Sequence, residues 1–172
     1  MNDLEFKTQK ILYNAKNTLL KYFQEYSINN PCAIFDIDDT LFFHDDKNTG
    51  NYEDGFIPNI PVIQFYKWVY NMGIPIYVIT ARPNNFVTIN STLKLLNKYD
   101  LRYEKVFFRP DHIDNVFTYK SDAREYLQRV LKHTNLISVG DMVWDVNSYV
   151  FIPVLLPNKE NLEIPYTYNL LN

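Results

Sequence analysis

The chain has 172 residues and a mass of 20.5 kDa, with 47% apolar and 22% charged residues, the size and make-up of one compact domain that buries roughly 70% of its unfolded surface. Four glycines exclude collagen, the single cysteine, Cys32, excludes a disulfide scaffold and suggests a reducing compartment, and the apolar content excludes disorder over most of the length. Seventeen Lys and Arg against twenty Asp and Glu leave a formal charge of −3, so bulk attraction to nucleic acid is not expected, although a local basic strip could still hold a polyanion.

Residues 1–10 are polar and mixed in charge, unlike a secretory signal or a transit peptide, and no apolar run approaches the roughly 18 to 20 residues that span a bilayer. A cytoplasmic protein without a membrane partner is expected. From Leu4 to Tyr26, apolar residues recur at helical spacing (Ile11, Leu12, Ala15, Leu19, Leu20, Phe23), which predicts an amphipathic helix. Asn29-Asn30-Pro31 ends it, and Cys32 to Ile37 reads as a buried strand that runs into acids. Leu41 to Pro58 has no clear period and is acidic (Asp45, Asp46, Glu53, Asp54), a long excursion with Gly50 and Gly55 as turn points. A helix around Pro61 to Asn71, a Met-Gly turn and a strand Ile74 to Ile79 follow. Next come a helix over 84–98, a strand Lys105 to Phe108, a helix around Ser121 to Lys132, a strand Leu136 to Val139 and a last strand in Val150 to Leu155. Short, near-continuous apolar strands alternating with helices predict an α/β fold, a doubly wound, mainly parallel sheet covered on both faces, as a single domain over 1–172. Such sheets bind their ligands beyond the carboxyl ends of the strands.

Each strand tip carries a polar group. The first ends in Asp36-Ile37-Asp38-Asp39-Thr40. Three acids at a buried strand end repel one another, and a hard divalent cation such as Mg²⁺ would neutralise them, unless they only cap a helix or lie solvated. The second strand ends in Thr80, Ala81 and Arg82. Lys120 sits at the predicted start of the helix after the third. The fourth strand ends in Gly140-Asp141-Met142-Val143-Trp144-Asp145, with acids four residues apart.

In this order the chain resembles the haloacid dehalogenase-like superfamily: Asp-x-Asp-x-Thr, a Thr after the second strand, a Lys, then Gly-Asp with a further Asp. The wording around Phe35 to Leu41, Ile79 to Pro83, Tyr119 to Ser121 and Val139 to Asp145 is most similar to the acid-phosphatase branch. The resemblance covers Cys32 to about Val150 and implies a Mg²⁺-dependent phosphatase acting on phosphate monoesters. By that resemblance Asp36 is the nucleophile that forms an aspartyl-phosphate. Asp38 protonates the leaving oxygen, later deprotonates water, and offers its main-chain carbonyl to the metal. Asp36 and Asp141 hold the ion, Asp145 is a direct ligand or stands behind it, Lys120 neutralises nucleophile and phosphoryl group, and Thr80 bonds a phosphate oxygen. Asp39 stands where many members have Gly and is read as structural; Thr40 is read as orienting the loop.

Arg82 and Arg109, just past strand tips, could grip a second phosphate or a substrate carboxylate, or else pair with nearby acids. His44 could reach the leaving group or be an exposed bystander. Phe42, Phe43, Tyr52 and Phe56 could stack on a substrate ring or pack the excursion onto the core. Neither the stretch from Leu41 to Met72 nor that from Pro83 to Tyr119 has room for a full cap domain; by resemblance, minimally capped members take large substrates or borrow a lid. The substrate is therefore expected to be a small phosphorylated molecule or an exposed phosphate on a macromolecule, with nucleic acid as substrate only. Nucleotidase, polynucleotide end-phosphatase and protein phosphatase activities all stay open. Two rivals remain: a receiver-like module, whose metal acids would come first and acceptor Asp later, and a catalytically silent scaffold.

Overall fold

The computed structural model describes residues 3–44 and 55–158. Its elements in chain order are α1 (Asp3–Glu25), β1 (Pro31–Phe35), β2 (Phe42–His44), β3 (Phe56–Pro58), α2 (Ile60–Asn71), β4 (Ile76–Pro83), α3 (Phe86–Lys98), β5 (Lys105–Arg109), α4 (Val116–Arg129), β6 (Thr134–Gly140), α5 (Val143–Val146) and β7 (Ile152–Leu155). Five strands form one parallel sheet in the order β5-β4-β1-β6-β7. The predicted α/β sheet covered on both faces is the observed fold.

Side-chain alternation within the apolar runs splits the core in two. Ala33, Phe35, Ile76 and Val78 face a large cluster built with Ile11, Leu12 and Leu19 of α1, Val62 and Tyr66 of α2 and Leu95 and Leu96 of α3. Cys32, Ile34, Tyr77 and Ile79 face the opposite side, against Tyr119, Ala123 and Leu127 of α4. Cys32 is fully buried there as a small core residue. Pro61 opens α2 and Gly73, at φ +78°, closes it, the usual pairing of a preset φ at the start with a left-handed residue just past the end.

Three local readings change. The strand expected over Ile74 to Ile79 is β4, Ile76–Pro83, which takes in Thr80, Ala81 and Arg82, and Arg109 is the last residue of β5, so neither arginine lies past a strand tip. The Leu41–Pro58 stretch contains a short antiparallel ladder, with Phe42 opposite Pro58 and His44 opposite Phe56; strands of three residues are too short to show a period. Asp45, Asp46, Gly50, Tyr52, Glu53 and Asp54 lie outside the described residues. The fourth helix begins at Val116, not near Ser121, because Asn115 caps it by accepting the Thr118 amide (3.1 Å). Lys120 is thus in the second turn rather than at the start. From β1 the chain goes to β4 and β5 on one side and returns to β6 and β7 on the other, so the crevice beyond the tips of β1 and β6 is where the winding reverses.

Candidate active site

At that crevice the end of β1 is locked to β6, the Asp36 amide donating to the Val139 carbonyl (3.0 Å). The chain then turns about one acceptor: Ile37 O takes the amides of Thr40, Leu41 and Phe42 at 3.3, 2.9 and 3.0 Å. Asp39 adopts φ +55° in this turn, a conformation free to glycine and tolerated by Asp, which gives it a conformational role. Asn59 Nδ2 donates to Thr40 O (2.9 Å), and Thr40 Oγ1 donates to Asp141 Oδ1 (3.4 Å). Thr40 therefore joins the two acid-bearing loops.

Carboxylate oxygens of Asp36, Asp141 and Asp145 lie within 4.8 Å of one another, and all three residues are buried. Lys120, 2% exposed, reaches into the cluster and donates to Asp36 Oδ1 (2.6 Å) and to Asp145 Oδ1. Asp145 also accepts the Met142 amide on Oδ2 (3.0 Å), an acid in the first turn of α5 reaching back to its cap. Gly140 makes this approach possible, since a methyl group there would fall inside the Asp145 side chain. Burial, then repulsion from Asp145 and Asp38, pushes the Asp36 carboxyl well above its ordinary value against the pull of Lys120. Burial likewise lifts Asp141 to about 6, with Asn158 opposing. Lys120 is held above its usual value by Asp36 and Asp145, although burial works against its charge. Among the described residues, three buried carboxyl groups gather around the Lys120 ammonium. A hard divalent cation suits such a set of oxygen donors.

Asp38 lines the same cleft without being one of the three close carboxylates. Arg82 closes on it with Nε at 2.9 Å from Oδ2 and Nη2 at 2.7 Å from Oδ1, while Nη1 donates to Thr92 Oγ1 (2.9 Å). The Phe56 ring lies 4.7 Å from the guanidinium carbon. Of the two readings open for Arg82, a substrate anion or a nearby acid, the structure shows its guanidinium on Asp38. His44 Nε2 stands 3.2 Å from Asp38 Oδ1. Burial favours the neutral form of Asp38, yet the hydrogen bonds from His44 and Arg82 prevail and hold it well below the carboxylate range. The hydrogen bond to Asp38 raises His44 in turn.

Thr80 is fully buried and its Oγ1 accepts the Arg82 amide (3.2 Å). That bond shapes the end of β4, with Ala81 on the wall of the cleft. The Arg109 guanidinium donates to the carbonyls of Ala81 and Ile113. Phe42 is in the core and Phe56 packs against Phe42 and His44, whereas Phe43 faces a cleft of about 550 Å³ shared with Asp36, His44, Lys120, Trp144 and Asn158. One contributor escaped the sequence reading: Asn158, whose Nδ2 donates to Asp141 Oδ2 (2.8 Å) and Asp141 O (3.0 Å), gave no signal, whereas His44 gave a weak one as a lone histidine.

No protein-family model and no curated protein sequence matches the chain. Among solved structures it is similar to the class C acid phosphatase from Bacillus anthracis, with TM-score 0.60 and 19% identity, or 0.61 and 18% with tungstate bound, over 82% of this chain and 65% of that one. It is also similar to a chain of the Pnkp1/Rnl/Hen1 RNA repair complex (TM-score 0.53, 18% identity, 70% of this chain and 40% of that one). A third is a protein from Mesorhizobium loti assigned as a HAD-like phosphatase (TM-score 0.52, 16% identity, 74% and 73%). The chain therefore spans less than two thirds of the first two. What it shares with all three is the fold.

Proposed function

We propose that the protein is a phosphomonoesterase that holds Mg²⁺ at the β1/β6 crevice and transfers the phosphoryl group to Asp36. The observation that carries this reading is the buried group Asp36, Asp141 and Asp145 closed by Lys120, at the place where a wound sheet receives its ligand. Asp36, Asp141 and the main-chain carbonyl of Asp38 would hold the ion, with Asp145 beside them. When bound, Mg²⁺ supplies the charge cancellation that lets an anionic carboxylate meet an anionic phosphate.

Asp36 attacks phosphorus in line and the ester oxygen leaves. Lys120 Nζ, already on Asp36 Oδ1, stays with the carboxylate as its charge passes to the phosphoryl oxygens, stabilisation that grows toward the transition state. Asp38 stands between this chemistry and His44. The proton shared by the His44–Asp38 pair passes through Asp38 to the leaving oxygen, and the water that cleaves the aspartyl-phosphate returns it. Arg82 and Thr92 fix the direction of Asp38 during both steps.

The decisive experiment is phosphate release from a panel of an aryl phosphate, mononucleotides, 3′- and 5′-phosphorylated oligonucleotides and phosphopeptides, with Mg²⁺ and then with chelator. Release that needs the metal and vanishes in a folded Asp36→Asn variant is expected; the ranking of substrates selects the subclass. The oligonucleotides are included because one similar chain belongs to an RNA repair complex. Release by Asp36→Asn at most of the wild-type rate would refute the assignment, and failure on every member would favour a scaffold.

A further inference from the structure

One acid of the cluster sits on a support that cannot hold itself. Asp145 lies on α5, a helix of four residues, and a single turn fixes several dihedrals for about one hydrogen bond. Its trailing carbonyls need outside donors. Arg124 supplies them. It is 1% exposed, and its guanidinium donates to Asp145 O (3.0 Å), Ser148 O (2.7 Å), Asn147 Oδ1 (2.9 Å) and Ser148 Oγ (3.3 Å). Ser138 Oγ, on β6, donates to the same Asp145 carbonyl (2.7 Å). Asn135 Nδ2 ties the main chain of the brace to the end of the loop, donating to Arg124 O (2.7 Å) and Tyr149 O (2.8 Å).

Arg124 and Lys120 are one helical turn apart on the same face of α4. Lys120 meets the carboxylate of Asp145 and Arg124 meets its backbone, so one helix grips both ends of the residue. Isolated burial of an arginine is costly, and this one is directed at the carbonyl and side-chain oxygens of an acid-bearing turn rather than at a carboxylate partner. We infer that Arg124, with Ser138, is a positioning residue of the metal site: it sets where the Asp145 carboxylate stands relative to Asp36 and Asp141 and thereby sets metal affinity. The inference rests on the metal reading given above. Partners that orient metal ligands from behind commonly change affinity by about 10- to 100-fold when lost.

The test is Mn²⁺ binding followed by electron paramagnetic resonance, without substrate, on wild type, Arg124→Lys, Arg124→Gln and Ser138→Ala, with thermal unfolding of each in chelator. Wild type is expected to bind one ion. Both Arg124 variants are expected to bind it about 10- to 100-fold more weakly, because lysine cannot reproduce four fixed donations, and Ser138→Ala to shift the same way by a smaller factor. Variants that lose thermal stability while binding Mn²⁺ within about threefold of wild type make the brace structural only and overturn the inference. Should the Arg124 variants not fold, an unshifted affinity in Ser138→Ala overturns it alone. A wild type that binds no Mn²⁺ overturns the metal reading itself, a result distinct from unshifted variants.

Discussion

Replacing Lys120 with Met tests the electrostatics of the site most directly. Methionine fills a similar volume and removes the ammonium that touches both Asp36 and Asp145. Deleting one partner of a buried ion pair costs about 3–5 kcal/mol, which in a domain of this size is a fall in Tm of about 6–20 °C. The stranded acids have two ways out, and each leaves a signature. They can take up protons, which at pH 7 costs an ordinary carboxyl about 4 kcal/mol and becomes easier by about 1.4 kcal/mol for each pH unit lowered. Alternatively they can take up a divalent ion. Urea unfolding of Lys120→Met and wild type in chelator should therefore show a large deficit at pH 7 that narrows toward pH 5. Added Mg²⁺ should restore more stability to the variant than it adds to wild type. Turnover should stay lost even with the metal, because the ion replaces the charge and not the hydrogen bond that follows Asp36 through the reaction. A variant as stable as wild type at both pH values would show that Lys120 does not neutralise the cluster, and the reasoning would fail.

His44→Asn should slow hydrolysis of alkyl phosphates by about 10²-fold or more while sparing aryl phosphates, whose leaving groups need little help from an acid; an equal effect on both, measured as kcat/KM, would remove His44 from the proton path. Asp141 carries a pH dependence of definite sign. Its folded value of about 6 lies above the unfolded 3.8, so the metal-free protein loses stability from this group as pH rises from about 4 to 6, to a full cost of about 3 kcal/mol above that. Asp141→Asn should then be more stable than wild type in chelator at pH 7, with the gap closing by pH 4, and only wild type should gain from Mg²⁺. A gap independent of pH would contradict it. For Asp38 the sign reverses. Its depressed carboxyl contributes stability above about pH 4 that is lost on further acidification, so Arg82→Leu should unfold more readily at neutral pH and approach wild type in strong acid, in Tm measured across pH.

The five sheet strands were legible because each is a short apolar run that one face alone does not explain; Cys32 to Phe35 alternates between two cores rather than between core and water. The acids and Lys120 were legible as a set, through their order along the chain. Less could be seen where structure depends on contacts distant in sequence. Val116 to Tyr119 are β-branched and aromatic residues with weak helix preference, and only the Asn115 cap announces the true start of α4. Whether Arg82 meets a substrate or an acid was open, because both readings ask for the same guanidinium; the bond to Asp38 spans 44 positions. The clamp of Asn158 on Asp141 spans 17 and leaves no local pattern at all.

The helix that carries Lys120 and Arg124 on one side rests Ala123 and Leu127 on the apolar layer of the sheet. Its tilt and depth are thus set by hydrocarbon packing, while its polar face sets the chemistry. An engineer who repacks that layer for heat resistance would retune the catalyst as well, since a half-ångström slide of the rod moves ammonium and guanidinium together. Variation accumulating beneath the helix would then be filtered by its effect on the site above it.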